Sequence, residues 1–275
     1  VGAGLGIPVF VYFRGFDASK RLREARIVRR YLSAMPRLAG VISVSQSLLD
    51  NLAAHGISHP NSHVIPTGVD TDLFVPGVRD PHLILSVGRI MDKKAPLVAI
   101  EAFAAVAAEF PEHRFEIIGD GPLRAASEAR VAELGLGDRV RFLGRLPHGE
   151  VRDHLARAAV YLQHSVTAPD GNEEGLPTSI QEAMASGAVV VSTRHAGIPE
   201  AVEEGVTGLL VDEHDGPGFA AALRAVLADP DRAAEMAAAA RARALRDYDY
   251  RKLHARLEAL IAAECTARGL PVPGR

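Results

Sequence analysis

The sequence predicts an α/β protein built from parallel, doubly wound sheets. Two observations carry this. Short apolar runs bounded by Gly or Pro alternate with stretches of helical spacing along the chain, and strands that alternate with helices pair in parallel through crossover connections. The apolar runs also fall into two groups, three before residue 79 and six between 79 and about 245. Pro66, Gly68, Pro76 and Gly77 punctuate the gap between the groups. The second group makes one complete Rossmann-like domain, and the first only about half of one.

Each element has a local reason. Pro8-Val9-Phe10-Val11-Tyr12-Phe13 is rich in β-formers and uncharged, as a buried strand is. The chain opens on Val1, and Gly2-Ala3-Gly4-Leu5-Gly6 runs straight into that strand, so a beginning is expected to be missing. In Arg14-Gly15-Phe16-Asp17, Gly15 marks a tight turn and Asp17 can cap a helix over about 17–35, a plain strand-to-helix turn being the simpler reading. Arg14, at a strand's carboxyl end beside a glycine, is placed for an anion. Gly40–Ser45 is a second strand, Ser45 or Ser47 can cap a helix ending near Gly56, and His63-Val64-Ile65 is a third strand. His55, His59 and His63 share no regular face, so no metal site is read there.

The second unit opens with the strand His82–Gly88, followed by Arg89-Ile90-Met91-Asp92-Lys93-Lys94 and a helix over about 96–110. Cations just past a strand's carboxyl end sit where open α/β sheets bind ligands. Arg forks onto phosphate and Lys acts as a point charge; a charged surface loop is the plain alternative. A strand at 114–118 ends in the turn Gly119-Asp120-Gly121-Pro122, which lacks the third glycine of a dinucleotide fingerprint. Strands follow at 140–145 and 159–164, the latter after a helix over 147–158. Gly187–Thr193 and Gly208–Val211 are the last two strands, with a short helix opening at Gly197-Ile198-Pro199-Glu200. Residues 216–268 read as three Ala-rich helices.

The stretch with most chemistry is Glu174-Gly175-Leu176-Pro177-Thr178-Ser179-Ile180-Gln181-Glu182-Ala183-Met184-Ala185-Ser186-Gly187. Pro177 suits the first helical position, which makes Leu176 a poor N-cap and leaves the first amides without a local partner. An uncapped helix start behind Gly175, after a strand, can hold a phosphate. Glu174 and Glu182 bracket it, and carboxylates accept hydrogen bonds from sugar hydroxyls. The pattern suits a ligand with a diphosphate and several hydroxyls, a nucleotide sugar. Acids near a helix start also serve the macrodipole alone, which is the structural alternative.

Composition bounds the rest. In 275 residues, 48% are hydrophobic and 24% charged, as in ordinary globular proteins. A net charge of −3 with no long basic run gives no footprint for nucleic acid. The basic clusters at Lys20–Arg30 and Arg241–Arg246 read as solvated faces, with an anionic membrane surface as the alternative. No apolar run reaches the length of a membrane span, and the single cysteine, Cys265, suits a reducing compartment.

The run EGLPTSIQEAMASG, with Glu174 and Glu182 separated by seven residues, resembles the signature of retaining glycosyltransferase family 4. Nearly the whole chain follows that family's order of motifs. Gly88-Arg89-Ile90-Met91-Asp92-Lys93-Lys94-Ala95 is similar to its GRLxxKKG, with Ala95 where the family prefers Gly. Ile65-Pro66-Thr67-Gly68-Val69-Asp70 resembles its IPNGVD, and the segment from Gly197 to Val211 its GGxPE…GLLV. Arg14-Gly15-Phe16-Asp17 resembles its His-Gly-x-Asp stretch with Arg14 in place of the His.

The resemblance implies a GT-B fold, two Rossmann-like domains facing across a cleft. Here residues 1–78 would be the remnant of the acceptor-side domain, 79–245 the nucleotide-sugar domain, and 246–275 a C-terminal helix and tail crossing back. It implies a retaining transferase acting by front-face displacement, with no metal and no cofactor beyond the nucleotide-sugar substrate. Arg89 and Lys94 would neutralise the donor diphosphate, and Glu174 would hold the transferred sugar. Gly88, Gly175, Leu176, Pro177 and Arg145 would complete the donor site, with Glu182 on the ribose hydroxyls. Arg14, Gly15 and Asp17 would lie on the donor and acceptor side. The acceptor would be a glycan or lipid-linked, in cell-surface polysaccharide synthesis, with a cytoplasmic enzyme loosely touching the inner membrane face. A donor-binding module without transfer activity, a GT-B epimerase and a phosphorylase stand as alternatives, the last with no sequence support.

Overall fold

The computed structural model describes residues 7–272, so the run Gly2–Gly6 lies outside the described residues. The first group of apolar runs forms a three-stranded parallel sheet: β1 (Phe10–Phe13), β2 (Gly40–Ser43) and β3 (Ser62–Val64), in that order. α1 (Ala25–Ala34) and α2 (Gln46–Ala54) connect them. The second group forms a six-stranded sheet from β4 (Asp80–Val87), β5 (Arg114–Ile118), β6 (Val140–Gly144), β7 (Ala158–Leu162), β8 (Val189–Thr193) and β9 (Gly208–Val211). Their order is β6-β5-β4-β7-β8-β9, all parallel. The order reverses beside β4, and at such a switch point the crevice outside the strands' carboxyl ends binds ligands.

The helices of this unit are α3 (Pro96–Ala107), α4 (Arg124–Glu133), α5 (His148–Arg157), α6 (Thr178–Ala185), α7 (Ile198–Ala201), α8 (Gly216–Ala228) and α9 (Pro230–Asp247), and α10 (Tyr250–Ala267) follows them. β4 shows why the larger sheet is covered on both faces. Leu83 and Leu85 belong to one apolar cluster, while Ile84 between them belongs to another with Phe103, Phe115 and Leu223. Successive side chains of a strand point to opposite faces, so a strand buried on both sides reads as an unbroken apolar run. Each fully buried Leu, Ile or Phe contributes about 1.5–3 kcal/mol.

The first cluster does not stop at the larger sheet. It continues through Leu176, Ile198 and Val202 to Phe13, Val41 and Leu48 of the smaller one. α10 returns to the smaller sheet, where Leu253 packs with Ile42 and Ile65. Beside it Val69 N–H donates to Tyr248 O at 2.8 Å and Tyr250 N–H to Val69 O at 3.0 Å. The expected division at residue 245 falls inside the last turn of α9.

Two local expectations are corrected. The helix expected over 17–35 is two short 3-10 turns, at 16–18 and 20–23, followed by α1. Asp17 does not cap it: the carboxylate turns back and accepts from the amides of Gly15 at 2.9 Å and Arg14 at 3.0 Å, closing the turn after β1. In α6 the N-cap is Pro177, not Leu176, so the helix starts one residue later. The fixed φ of proline is compatible with both positions, so the sequence alone does not separate them.

Candidate functional site

α6 begins at the carboxyl ends of the larger sheet and points its amino end at the smaller one. No side chain among the described residues caps it. Its first N–H groups lack intrahelical partners and carry the positive end of the macrodipole. They open onto a cavity of about 340 Å³ between the two sheets, within the size range of ligand sites. Its lining includes Gly88, Lys94, Glu174, Gly175, Leu176, Pro177, Glu182 and Arg14. Residues 80 apart or more in the chain thus converge on the loop the sequence singled out. Val44, Thr67, Val87, Thr178 and Ser179 also line it; Thr67, Thr178 and Ser179 lie within the motif stretches but were given no role, and Val44 and Val87 are found only by the fold.

Glu174 is the electrostatic centre. It is buried, yet its two carboxylate oxygens face Lys94 Nζ at 2.9 Å and Lys93 Nζ at 3.1 Å. Burial opposes its ionisation, but the Lys94 and Lys93 ammonium groups outweigh burial and hold the carboxyl down at about 2. At an effective dielectric near 20 each such contact is worth on the order of 5 kcal/mol, against a desolvation cost of several kcal/mol per ion. Lys93 also donates to Glu173 O at 3.3 Å. Of the pair at 93 and 94, the sequence assigned a role only to the second; both grip the loop.

Glu182, one helix turn into α6, is mostly buried with one oxygen 3.5 Å from His148 Nε2. Burial raises its pKa above the ordinary carboxylate value, and His148 only partly offsets this. The two bracketing carboxylates therefore differ: Glu174 is held firmly ionised, whereas Glu182 is a desolvated acceptor facing the cavity.

Gly88 has φ 153°, a conformation that L side chains rarely adopt, and a Cβ there would meet Lys94 Cε at 3.3 Å. Gly175 serves a different closeness from the one expected. A Cβ on it would strike the Arg14 carbonyl oxygen and Val44, so the glycine lets the smaller sheet's loop approach. Gly15 lies against the same place, its own missing Cβ 3.3 Å from Gly175 N. Arg14 reaches Thr67 Oγ1 at 3.4 Å. Ala95 adopts the left-handed region, φ 35° and ψ 56°, as the N-cap of α3, the geometry for which glycine would be the unstrained choice.

Three expected residues stand apart. Arg89 is exposed and borders a shallow recess with Gly88 and Lys94 outside the main cavity. Arg145 is 82% exposed and only 4.0 Å from the Asp120 carboxylate. Asp17 is engaged by backbone amides. A larger cavity, about 500 Å³, lies at the amino ends of the strands beneath α9; its lining, with Ala233 and Ala237, is largely apolar and shares no residue with the site. Among the described residues no group of three or more His, Cys, Asp or Glu is placed to hold a metal ion.

Two parallel α/β sheets on either side of a cavity, with the Glu174 loop at the switch point, are the architecture of GT-B glycosyltransferases. The chain matches the family described as glycosyl transferases group 1 over residues 70–243, and glycosyltransferase family 4 over residues 1–73. It belongs to the group 1 glycosyltransferase family. It is 35% identical over 219 residues to the amylovoran biosynthesis glycosyltransferase AmsK of Erwinia amylovora, covering 77% of this chain and 53% of the relative. It is 33% identical over 256 residues to the putative colanic acid biosynthesis glycosyltransferase WcaL of Escherichia coli, covering 91% and 63%. Against the GDP-mannose-dependent phosphatidylinositol monomannoside mannosyltransferase of Mycolicibacterium smegmatis the identity is 33%, covering 78% and 60%. The chain thus spans between 53% and 63% of the length of these curated relatives. The crystal structure of Anabaena HepE in complex with UDP superimposes with a TM-score of 0.82 at 22% identity, covering 93% of this chain and 72% of that one. No helix among the described residues is long and apolar enough to cross a membrane.

Proposed function

We propose that this chain carries the donor site of a retaining glycosyltransferase that moves a sugar from a UDP- or GDP-sugar to a glycan or lipid-linked acceptor in cell-surface polysaccharide synthesis. The observation that carries the reading is the single cavity gathering the open start of α6, Lys94, Glu174 and Glu182. The diphosphate is the leaving group. The α6 amides and Lys94 meet the charge that grows on it as the anomeric bond breaks, with Arg89 swinging in from the rim; fixed donors aimed at developing charge are the strongest catalytic device of this kind. Glu182 accepts from the ribose hydroxyls, and Glu174 from hydroxyls of the transferred sugar. With an ammonium against each oxygen, Glu174 is set to hold rather than to attack, which favours front-face displacement in which the leaving phosphate takes the acceptor's proton. These cations supply the neutralisation, so no metal is called for.

The names of the relatives support the class of pathway, since AmsK is described for amylovoran biosynthesis and WcaL as a putative colanic acid biosynthesis glycosyltransferase. The donor base stays a choice between the UDP of HepE and the GDP-mannose of the mannosyltransferase. A cytoplasmic location, with the exposed Arg26, Arg29 and Arg30 of α1 against the anionic inner face, belongs to the same reading. The alternative is a module that binds donor without transferring it. Thermal shift with UDP, GDP and ADP and their sugars, repeated on Glu182→Ala, tests the site. A ligand at a hundred times its Kd adds about 2.7 kcal/mol. A midpoint raised by roughly 5–10 °C for one base, and lost in the variant, supports the reading. No shift with any nucleotide overturns it for this chain. Transfer assays on the same sample then separate enzyme from module.

A further inference from the structure

The loop that carries Glu174 is held from behind by a group outside every motif above. His195 follows β8 and is 1% exposed. Its Nε2 receives the Glu174 N–H at 3.0 Å, and its Nδ1 lies 2.6 Å from Glu213 Oε1. An amide N–H can only donate, so Nε2 carries the lone pair and Nδ1 the proton, which goes to the Glu213 carboxylate. Glu213 is fixed in turn: its other oxygen accepts from Thr167 N–H at 2.7 Å. Burial opposes the ionisation of Glu213, but the Thr167 amide and His195 outweigh it and keep the carboxyl below its ordinary range. Two residues on, Gly197 N–H donates to Gly175 O at 2.9 Å. Ala196 between them sits at φ 47°, a left-handed conformation that costs about 1–2 kcal/mol outside glycine. A strained turn thus clasps the main chain of Glu174 and Gly175, while Lys93 and Lys94 hold the Glu174 carboxylate from the cavity side.

We infer that His195, oriented by Glu213, is a positioning residue for Glu174: it locks the imidazole in the Nδ1–H tautomer so that the donor loop presents its carboxylate to the transferred sugar. The inference rests on the proposed role of Glu174. Carboxylate–imidazole pairs elsewhere aim Nε2 at a nucleophile or metal; here the same logic aims it at a backbone amide. Protonating the ring, or moving its proton to Nε2, would set two N–H groups against each other and release the loop.

Two measurements on the full chain test this. The first needs no substrate. ¹⁵N shifts of the His195 ring in the chain alone should show the Nδ1–H tautomer, and Glu213→Gln should remove it, because one amide oxygen cannot serve both the Thr167 N–H and the imidazole N–H. An Nε2–H or doubly protonated ring in the wild type at neutral pH overturns the inference whatever the chain binds. The second compares His195→Gln, which puts an oxygen near the place of Nε2, with His195→Phe, which fills the space without an acceptor. His195→Phe should keep UDP or GDP affinity within about twofold while lowering kcat, or the extra affinity for the nucleotide sugar over the bare nucleotide, at least tenfold. His195→Gln should recover most of that loss. Equal behaviour of the two variants, or nucleotide and nucleotide-sugar affinity falling together with the melting midpoint, means that His195 only fills space. A wild type that binds no nucleotide overturns the donor reading and with it the catalytic half of the inference, while the tautomer result still decides the geometry.

Discussion

Two helix starts, those of α2 and α6, are finished in opposite ways. α2 is closed twice: Ser45 Oγ accepts from Leu48 N–H at 3.4 Å, and the Glu200 carboxylate, from the other half of the molecule, accepts from Gln46 and Ser47 N–H at 2.9 and 3.0 Å. α6 has no side-chain cap, and its nearest carboxylates are turned elsewhere, Glu174 to the lysines and Glu182 into the cavity. Both starts carry the same unpaired donors and the same dipole. One is filled by a protein carboxylate and joins the halves; the other opens onto the cavity, where the proposed donor diphosphate would meet it. What distinguishes a ligand site from a structural contact here is the identity of the acceptor, since the helix geometry is the same.

The comparison breaks most sharply at Lys94. Lys94→Ala removes the point charge beside the open helix start, and turnover should fall by roughly a hundredfold, the scale of losing one charge-stabilising donor; unchanged kcat removes Lys94 from the mechanism. Pro177→Asp gives α6 the kind of carboxylate that α2 already has. Nucleotide affinity should drop at least tenfold while the melting midpoint holds or rises by up to about 4 °C, a cap being worth about 1 kcal/mol; a midpoint that falls along with affinity would show that the open start is not the anion site. Glu200→Ala is the converse and should cost about 1–2 kcal/mol, or roughly 2–6 °C, with nucleotide affinity kept within about twofold.

Acid sharpens the contrast between the bracketing carboxylates. The folded-state pKa of Glu174 lies below its ordinary 4.5, at about 2, so its contribution to stability is fully present above 4.5 and is lost as the pH falls through 4.5 towards 2. Glu182 is raised, so it contributes no such loss. Urea unfolding between pH 6 and 3 should show a steeper decline for the wild type than for Glu174→Gln; parallel curves would mean that the lysine pairs do not stabilise the fold. Smallest is Ala95→Gly. Relief of a left-handed alanine is worth about 1–2 kcal/mol and extra unfolded-state freedom costs about 0.4–1, so calorimetry should find a midpoint equal or up to about 3 °C higher. A clear fall would mean that the alanine methyl packs usefully.

What the sequence made legible was local. Most of the nine strands among the described residues were readable as short apolar runs, several bounded by Gly or Pro, and the Glu174 loop because its two acids, glycine and proline lie within nine residues. What it hid depends on distance along the chain. Gly175 is small because Arg14 and Val44 pass beside it, and neither lies near it in sequence. His195 looks like any histidine in a turn until the fold sets it behind Glu174. α4 was not singled out, because its Ala-rich, evenly charged sequence buries only Ser127 and Val131 and shows no broad apolar stripe. The turns at 16–23 defeated helix reading because Asp17 bonds backward to Arg14 and Gly15, which helix-capping rules do not anticipate.

The two main-chain bonds between Val69 and the 248–250 segment have a mechanical meaning. The polypeptide passes from one half to the other near residue 69 and returns near residue 249, and these passages are stitched side by side. Two adjacent crossings concentrate the covalent linkage between the halves at one hydrogen-bonded seam. The Glu200 grip on α2 is a separate tie between the halves: parting them there must first draw that carboxylate away from Gln46 and Ser47. Because Glu200 is three residues from Gly197, whose amide bonds Gly175, one short turn ties the Glu174 loop and the start of α2 together.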